Sequence, residues 1–161
     1  MYIKSLSWKD YLDMAKLYAD KISGCNKVAV GAVIVKNDRV ISLGSNKTIP
    51  CLCKTSVGCL RKEKYGEDSK SHRNPDDCRA IHSEIDAICN AAASGTPISD
   101  SYIFITRYPC ENCAKAIIDA GIKRVFYGGT TRVNEQTEDM FDAYNVGCTY
   151  IPDWKEDTSD R

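Results

Sequence analysis

Two short strings set the terms for this chain: His82-Ser83-Glu84, and later Pro109-Cys110-Glu111-Asn112-Cys113. One imidazole and two thiolates give zinc three protein ligands and leave a fourth position for water. Zinc lowers the pKa of such a water from about 15.7 to about 7. Glu84 adds a carboxylate that the ligand set does not need, and an acid so placed can carry protons. If both strings serve one centre, the fold must present two helix starts to a single point. A closed structural site would need a fourth protein ligand and would have no use for Glu84.

The rest of the chain narrows the class. Its 161 residues suit one domain, residues 1–161, with a single core. Basic and acidic residues balance, 22 against 22, which argues against polymeric nucleic acid as a partner. No charged-then-apolar leader opens the sequence and no apolar run is long enough to span a bilayer. The expected setting is cytoplasmic, with no membrane partner. Nine cysteines accompany two histidines. Without a leader, thiolate ligation of metal explains them better than disulfides do.

Periodicity places the elements. Tyr11, Leu12, Ala15, Leu17, Tyr18 and Ile22 fall at helical spacing within 8–22, with Ser7 as cap and Gly24 as stop. Val28 to Val35 is a β-branched run too apolar for a solvated face, so it reads as a central strand. Asn37-Asp38 is a turn, and Arg39 to Leu43 returns as the antiparallel partner. Residues 47–79 form a polar, cysteine-rich insertion with little periodicity. A helix with a stripe of Ile81, Ile85, Ile88 and Ala92 follows, then a strand over 101–106 and a helix over 110–120 closed by Gly121. A strand over 124–127, a helix over 135–144 and a strand over 148–151 complete the order, with Cys89 and Cys148 as core residues and 154–161 as a frayed tail. This order implies a three-layer α/β/α domain around one mixed five-stranded sheet. It also puts both strings at helix N-termini, where thiol pKa values fall.

Joined, the strings read H-x-E and P-C-x-x-C, the pattern of zinc-dependent nucleobase deaminases. The chain resembles the cytidine deaminase-like superfamily and, within it, the deoxycytidylate (dCMP) deaminase family. Matching stretches are Cys25 to Ala32, Asn46, Val57 to Leu60, Cys78 to Glu84, and the long run Pro109 to Val125. Free-nucleoside deaminases typically carry cysteine where this chain has His82, and transfer-RNA adenosine deaminases lack the cysteine-bearing insertion.

The resemblance implies hydrolysis of dCMP to dUMP and ammonia, supplying dUMP for thymidylate synthesis. His82, Cys110 and Cys113 would hold the catalytic zinc, with Glu84 transferring protons. Another cytosine nucleotide or nucleoside (modified dCMP, dCTP, cytidine) is the alternative substrate, and a non-catalytic zinc module the alternative role. Lys27 stands where the family's phosphate-binding arginine is usual. Asn46 keeps the nucleotide-contacting asparagine of a Tyr-Asn-Gly motif, here Ser45-Asn46-Lys47, and Lys47 offers a further phosphate contact. Tyr108, just before the Pro-Cys pair, either lines the base pocket or packs in the core.

The family likeness also implies a structural zinc near the insertion, with Cys25, Cys59, His72 and Cys78 matching ligand positions. Cys51 and Cys53 remain candidates for the same set, and free buried thiols are the alternative. A homo-oligomer, up to a hexamer, follows from the likeness too. So do the nucleotide effectors dCTP and dTTP, with Mg2+ accompanying the triphosphate.

Overall fold

Ser7 opens the first helix, α1 (Trp8–Ile22), through a reciprocal capping box. Its hydroxyl accepts from the Asp10 amide at 3.3 Å, and the Asp10 carboxylate accepts from the Ser7 amide at 2.6 Å. The computed structural model describes residues 5–25, 27–48, 53, 58–66, 78–129 and 133–154. Strands β1 (Gly31–Lys36) and β2 (Arg39–Ser45) follow as a hairpin. Its turn residues Asn37 and Asp38 both have positive φ, 51° and 58°, the conformation that two-residue hairpin loops require.

Two short elements inside the insertion carry no pattern in sequence. Strand β3 (Lys47–Thr48) pairs antiparallel with β4 (Ala80–Ile81), and helix α2 (Leu60–Tyr65) lies between them in the chain. The ribbon delivers the chain to α3 (Ser83–Ala93). Then β5 (Tyr102–Ile105), α4 (Glu111–Asp119), β6 (Arg124–Tyr127), α5 (Glu135–Ala143) and β7 (Gly147–Tyr150) alternate. The main sheet runs β2-β1-β5-β6-β7. Strand β1 is antiparallel to both neighbours, while β5, β6 and β7 are parallel.

Side chains alternate across that sheet with period two. Val33, Val35, Phe104 and Phe126 face α1, where Tyr11, Leu12 and Ala15 meet them. Phe104 and Phe126 stack at 4.7 Å between centroids. Ala32, Ile34, Ile103, Ile105 and Val125 face the other way, against Ala87 of α3, Ala114 and Ile117 of α4, and Phe141 of α5. Helices on both faces explain the apolar run of β1 and give the three layers expected from sequence.

Two glycines set how closely those layers approach. A Cβ on Gly31 would lie 1.9 Å from the Ala15 carbonyl oxygen of α1. One on Gly44 would lie 2.1 Å from the Ser83 carbonyl oxygen of α3. Backbone therefore meets backbone on both sides of the hairpin, and the contact faces of both helices must be small. This corrects the helical stripes read from the sequence. On α1 the buried face is Tyr11, Leu12, Ala15 and Ala19, whereas Leu17 and Ile22 are exposed. On α3 it is Ser83, Glu84, Asp86, Ala87 and Ala91; Ile85 and Ile88 are only half-buried and Ala92 is exposed. Cys89, expected in the core, is exposed, and Cys148 is half-buried.

Trp154 was expected in the tail, yet it is buried beside Ile151 under α1. Its indole N–H donates to the Asp13 carboxylate at 2.8 Å. Its ring fills the space over Gly128, where a Cβ would lie 2.1 Å from Trp154 Cε3. Residues 155–161 lie outside the described residues. Among the described residues no helix is long and apolar enough to cross a membrane.

Candidate active site

His82 and Cys110 are the N-cap residues of α3 and α4, both in extended backbone, φ −73° and −81°. Each cap is local in origin. The carbonyl of His82 accepts from the Asp86 amide and that of Cys110 from the Ala114 amide, both at 2.9 Å. Helix α3 is seated on β2 at Gly44, α4 follows β5, and the two pack against the same face of the sheet. Cys113 lies one turn into α4 and is buried.

Three donor atoms converge there. His82 Nδ1 lies 3.4 Å from Cys110 Sγ and 3.4 Å from Cys113 Sγ, and all three are within 4.8 Å of one another. Zinc with bonds of about 2.3 Å to sulfur and about 2.0 Å to nitrogen separates tetrahedral N and S ligands by about 3.5 Å. The donor set therefore fits zinc in chemistry and in spacing. The electrostatics agree. Hydrogen bonds from Cys113 and then His82 lower the Cys110 thiol to about 4, whereas Cys113 is raised by its bond to Cys110 and by burial. One thiolate is thus already favoured, and His82 is raised chiefly by its bond to Cys110.

Glu84, two residues beyond His82, is buried at 4 % exposure. Burial raises its pKa, partly opposed by the His82 charge. The Ser83 hydroxyl donates to Glu84 Oε2 at 2.9 Å, and Glu84 also hydrogen-bonds Cys113. A carboxylate destabilised by burial accepts a proton more readily than a solvated one. No sequence pattern singles out Ser83, which is fully buried.

The other named residues fall around this centre unevenly. Asn46, 7 % exposed, sits between β2 and β3 and secures the segment after α1. Its Oδ1 accepts from the Val30 amide at 2.8 Å and the Ser23 hydroxyl at 2.7 Å, and its Nδ2 donates to the Val28 carbonyl at 2.8 Å. Lys27 is exposed on that segment, and its amide donates to Cys25 Sγ at 3.4 Å. The Lys47 ammonium is bound to Asp86 at 2.7 Å. Tyr108 is 7 % exposed, with its ring edge-on to Tyr127 at 4.9 Å. Burial, with Cys148 and Glu138 nearby, pushes its hydroxyl pKa up.

Cys53 is buried, and its thiol is raised by burial and by Cys59, Cys25 and Cys78 around it. Among the described residues no second group of three such donors lies within 4.8 Å of one another. His72 and Cys51 lie outside the described residues.

Comparison with known proteins gives a consistent picture. The family model for the cytidine and deoxycytidylate deaminase zinc-binding region matches residues 7–129. ComE operon protein 2 of Bacillus subtilis (strain 168) is 31 % identical over 147 residues, covering 89 % of this chain and 71 % of that protein. A probable deoxycytidylate deaminase of Drosophila melanogaster is 32 % identical over 163 residues, covering 96 % and 78 %. Among solved structures, a dCMP deaminase from the cyanophage S-TIM5, in complex with dCMP and dUMP, superposes with a TM-score of 0.70 at 28 % identity, covering 93 % of this chain and 100 % of that one.

Proposed function

Because the chain belongs to the cytidine and deoxycytidylate deaminase family, we propose that it is a dCMP deaminase, converting dCMP and water to dUMP and ammonia. The observation that carries this reading is the convergence of His82, Cys110 and Cys113 beside a buried carboxylate that is free of the ligand set. His82, Cys110 and Cys113 would hold zinc, which when bound would make a water acidic enough to ionise near neutral pH. Glu84 would take a proton from the attacking water, deliver it to N3 of the cytosine ring and pass a second to the departing amine. The water oxygen ends on C4, the C4–N bond breaks, and ammonia leaves. The Ser83 hydroxyl fixes one oxygen of the carboxylate.

In this reading exposed Lys27 meets the 5′-phosphate as a point charge, while Asn46 holds the Lys27 segment and contacts the nucleotide. Tyr108 lines the base pocket. Homo-oligomers, and dCTP or dTTP effectors with Mg2+, belong to the same reading and rest on the family likeness; a cytoplasmic setting is part of the proposal.

Ammonia release from zinc-loaded protein tests it, with dCMP, CMP, dCTP, deoxycytidine and 5-substituted dCMP as parallel substrates, each with and without added dCTP. Rapid turnover of dCMP and little of deoxycytidine is expected. Turnover of deoxycytidine as fast as dCMP removes the nucleotide-level reading, and turnover of none removes the activity.

A structural zinc beneath the insertion is part of the proposal. Its ligands come from Cys25, Cys51, Cys53, Cys59, His72 and Cys78. Cys25, Cys59 and Cys78 are near enough to raise the buried Cys53 thiol, although among the described residues no three of these donors lie within 4.8 Å of one another; a closed tetrahedral site would order a segment that buries little apolar surface. Metal analysis of the parent is expected to give two zinc per chain, and Cys59→Ser or Cys78→Ser to lower both zinc content and melting temperature. One zinc per chain in the parent rules the second site out.

A further inference from the structure

Asp86 is a buried acid that the chemistry above leaves without a task. It lies on α3, two residues beyond the end of the H-x-E string, with its side chain 4 % exposed. Its two oxygens reach the residues on either side of Asn46. Oδ2 accepts from the Ser45 amide at 3.0 Å, and Oδ1 meets the Lys47 ammonium at 2.7 Å. The bond to Asp86 raises the Lys47 pKa, and the lysine side chain keeps 29 % exposure.

Asn46 in turn organises the segment that carries Cys25 and Lys27. Besides its side-chain bonds to Ser23, Val28 and Val30, its amide donates to the Val30 carbonyl at 3.0 Å and its own carbonyl accepts from the Gly24 amide at 3.2 Å. A continuous path of hydrogen bonds thus runs from the helix of His82 and Glu84, through Asp86, to residues 23–30.

We infer that Asp86 and Lys47 form a positioning pair, which registers the Asn46 corner and the substrate-facing segment 23–30 against the helix that carries the catalytic acid. The inference rests on the deaminase reading for what that segment contacts. Asp86, in the first turn of α3, is anchored on β2 by the Ser45 amide and holds the Lys47 ammonium with its other oxygen. Lys47 is therefore occupied as an internal tie, not presented to the substrate phosphate.

The pair predicts an asymmetric pattern of variants. Lys47→Met leaves a buried carboxylate without its counter-charge, which is the costly half of the pair to strand. Asp86→Asn strands only a half-exposed ammonium, and its amide oxygen still accepts from Ser45. The double variant Lys47→Met/Asp86→Asn removes both charges and is expected to recover most of what Lys47→Met loses. Lys47→Arg keeps a cation in reach of Asp86 and is expected to behave like the parent.

Two readouts follow these proteins. Amide hydrogen exchange at Val30 and Asn46 is expected to speed up about tenfold in Lys47→Met relative to other strand amides, and to slow again in the double variant. For dCMP, Lys47→Met is expected to raise KM about tenfold while kcat stays within about threefold. Parent-like exchange at Val30 in Lys47→Met, or a double variant worse than either single one, overturns the inference. So does a fall in kcat with unchanged KM. Exchange is measured without turnover, so a parent that fails to deaminate dCMP defeats the functional reading and leaves this one standing.

Discussion

Glu84→Gln is expected to keep the fold and the bound zinc while turnover of dCMP falls by about 10²–10⁴-fold, the usual share of a positioned proton carrier. Glutamine has nearly the same shape, and its amide oxygen can still accept the Ser83 hydroxyl that now donates to Glu84 Oε2 at 2.9 Å. What it lacks is a site for the proton. Stability is not expected to suffer, since burial disfavours the charged form of Glu84 and a neutral isostere carries no such cost. Metal analysis, melting temperature and single-turnover rates together decide the matter. A variant within tenfold of the parent would sink the proton-transfer role. A variant that lost its zinc along with its rate would reassign Glu84 to holding the metal.

The second large effect needs no change at the centre itself. At Gly44→Ala a new Cβ would meet the Ser83 carbonyl oxygen at 2.1 Å and the Ala87 amide nitrogen at 2.4 Å. Both are backbone atoms of α3 and cannot rotate away. The helix must lift from β2, and overpacking of this kind costs about 1–3 kcal/mol and occasionally more. About 3 kcal/mol is expected here, which lowers the melting temperature by roughly 6–12 °C in a domain of this size. Lifting α3 also carries His82 and Glu84 away from Cys110 and Cys113. A misplacement of about 1 Å can cost about 100-fold in rate. The variant is therefore expected to be slow at temperatures where circular dichroism finds it fully folded. Parent-like kcat in a folded Gly44→Ala protein would mean that the contact at Gly44 does not set the catalytic geometry.

The site was legible in the sequence because its chemistry is written in adjacent residues. His82 and Glu84 share one helix start, Cys110 and Cys113 another, and the order of elements between them is regular enough to place both strings at N-termini. The β1–β2 hairpin was legible for the same reason, since Asn37-Asp38 interrupts two apolar runs at the right spacing. Features set by tertiary contact were not. An isoleucine stripe looks like the buried face of α3, but with close approach at Gly44 that face is Ser83, Glu84, Asp86, Ala87 and Ala91, and Ile85 and Ile88 are left at the flanks. Asp86 is marked by no motif, because its burial comes from β2 and Lys47 closing over it. Strands of two residues such as β3 and β4 are too short for any period to register. Trp154 sits among charged neighbours, and only the space over Gly128 reveals where it goes.

The bond from the Trp154 indole to Asp13 joins residues 141 apart in the chain. At a synthesis rate of about 5–20 residues per second, roughly 7–28 s separate the making of its two ends. Even once Phe126 is made, the aromatic layer beneath α1 still lacks Ile151 and Trp154, so the ribosome-bound chain displays a greasy surface that the finished enzyme hides. Damage at this junction would register first as poor soluble yield and chaperone retention during production, ahead of any change in catalytic constants.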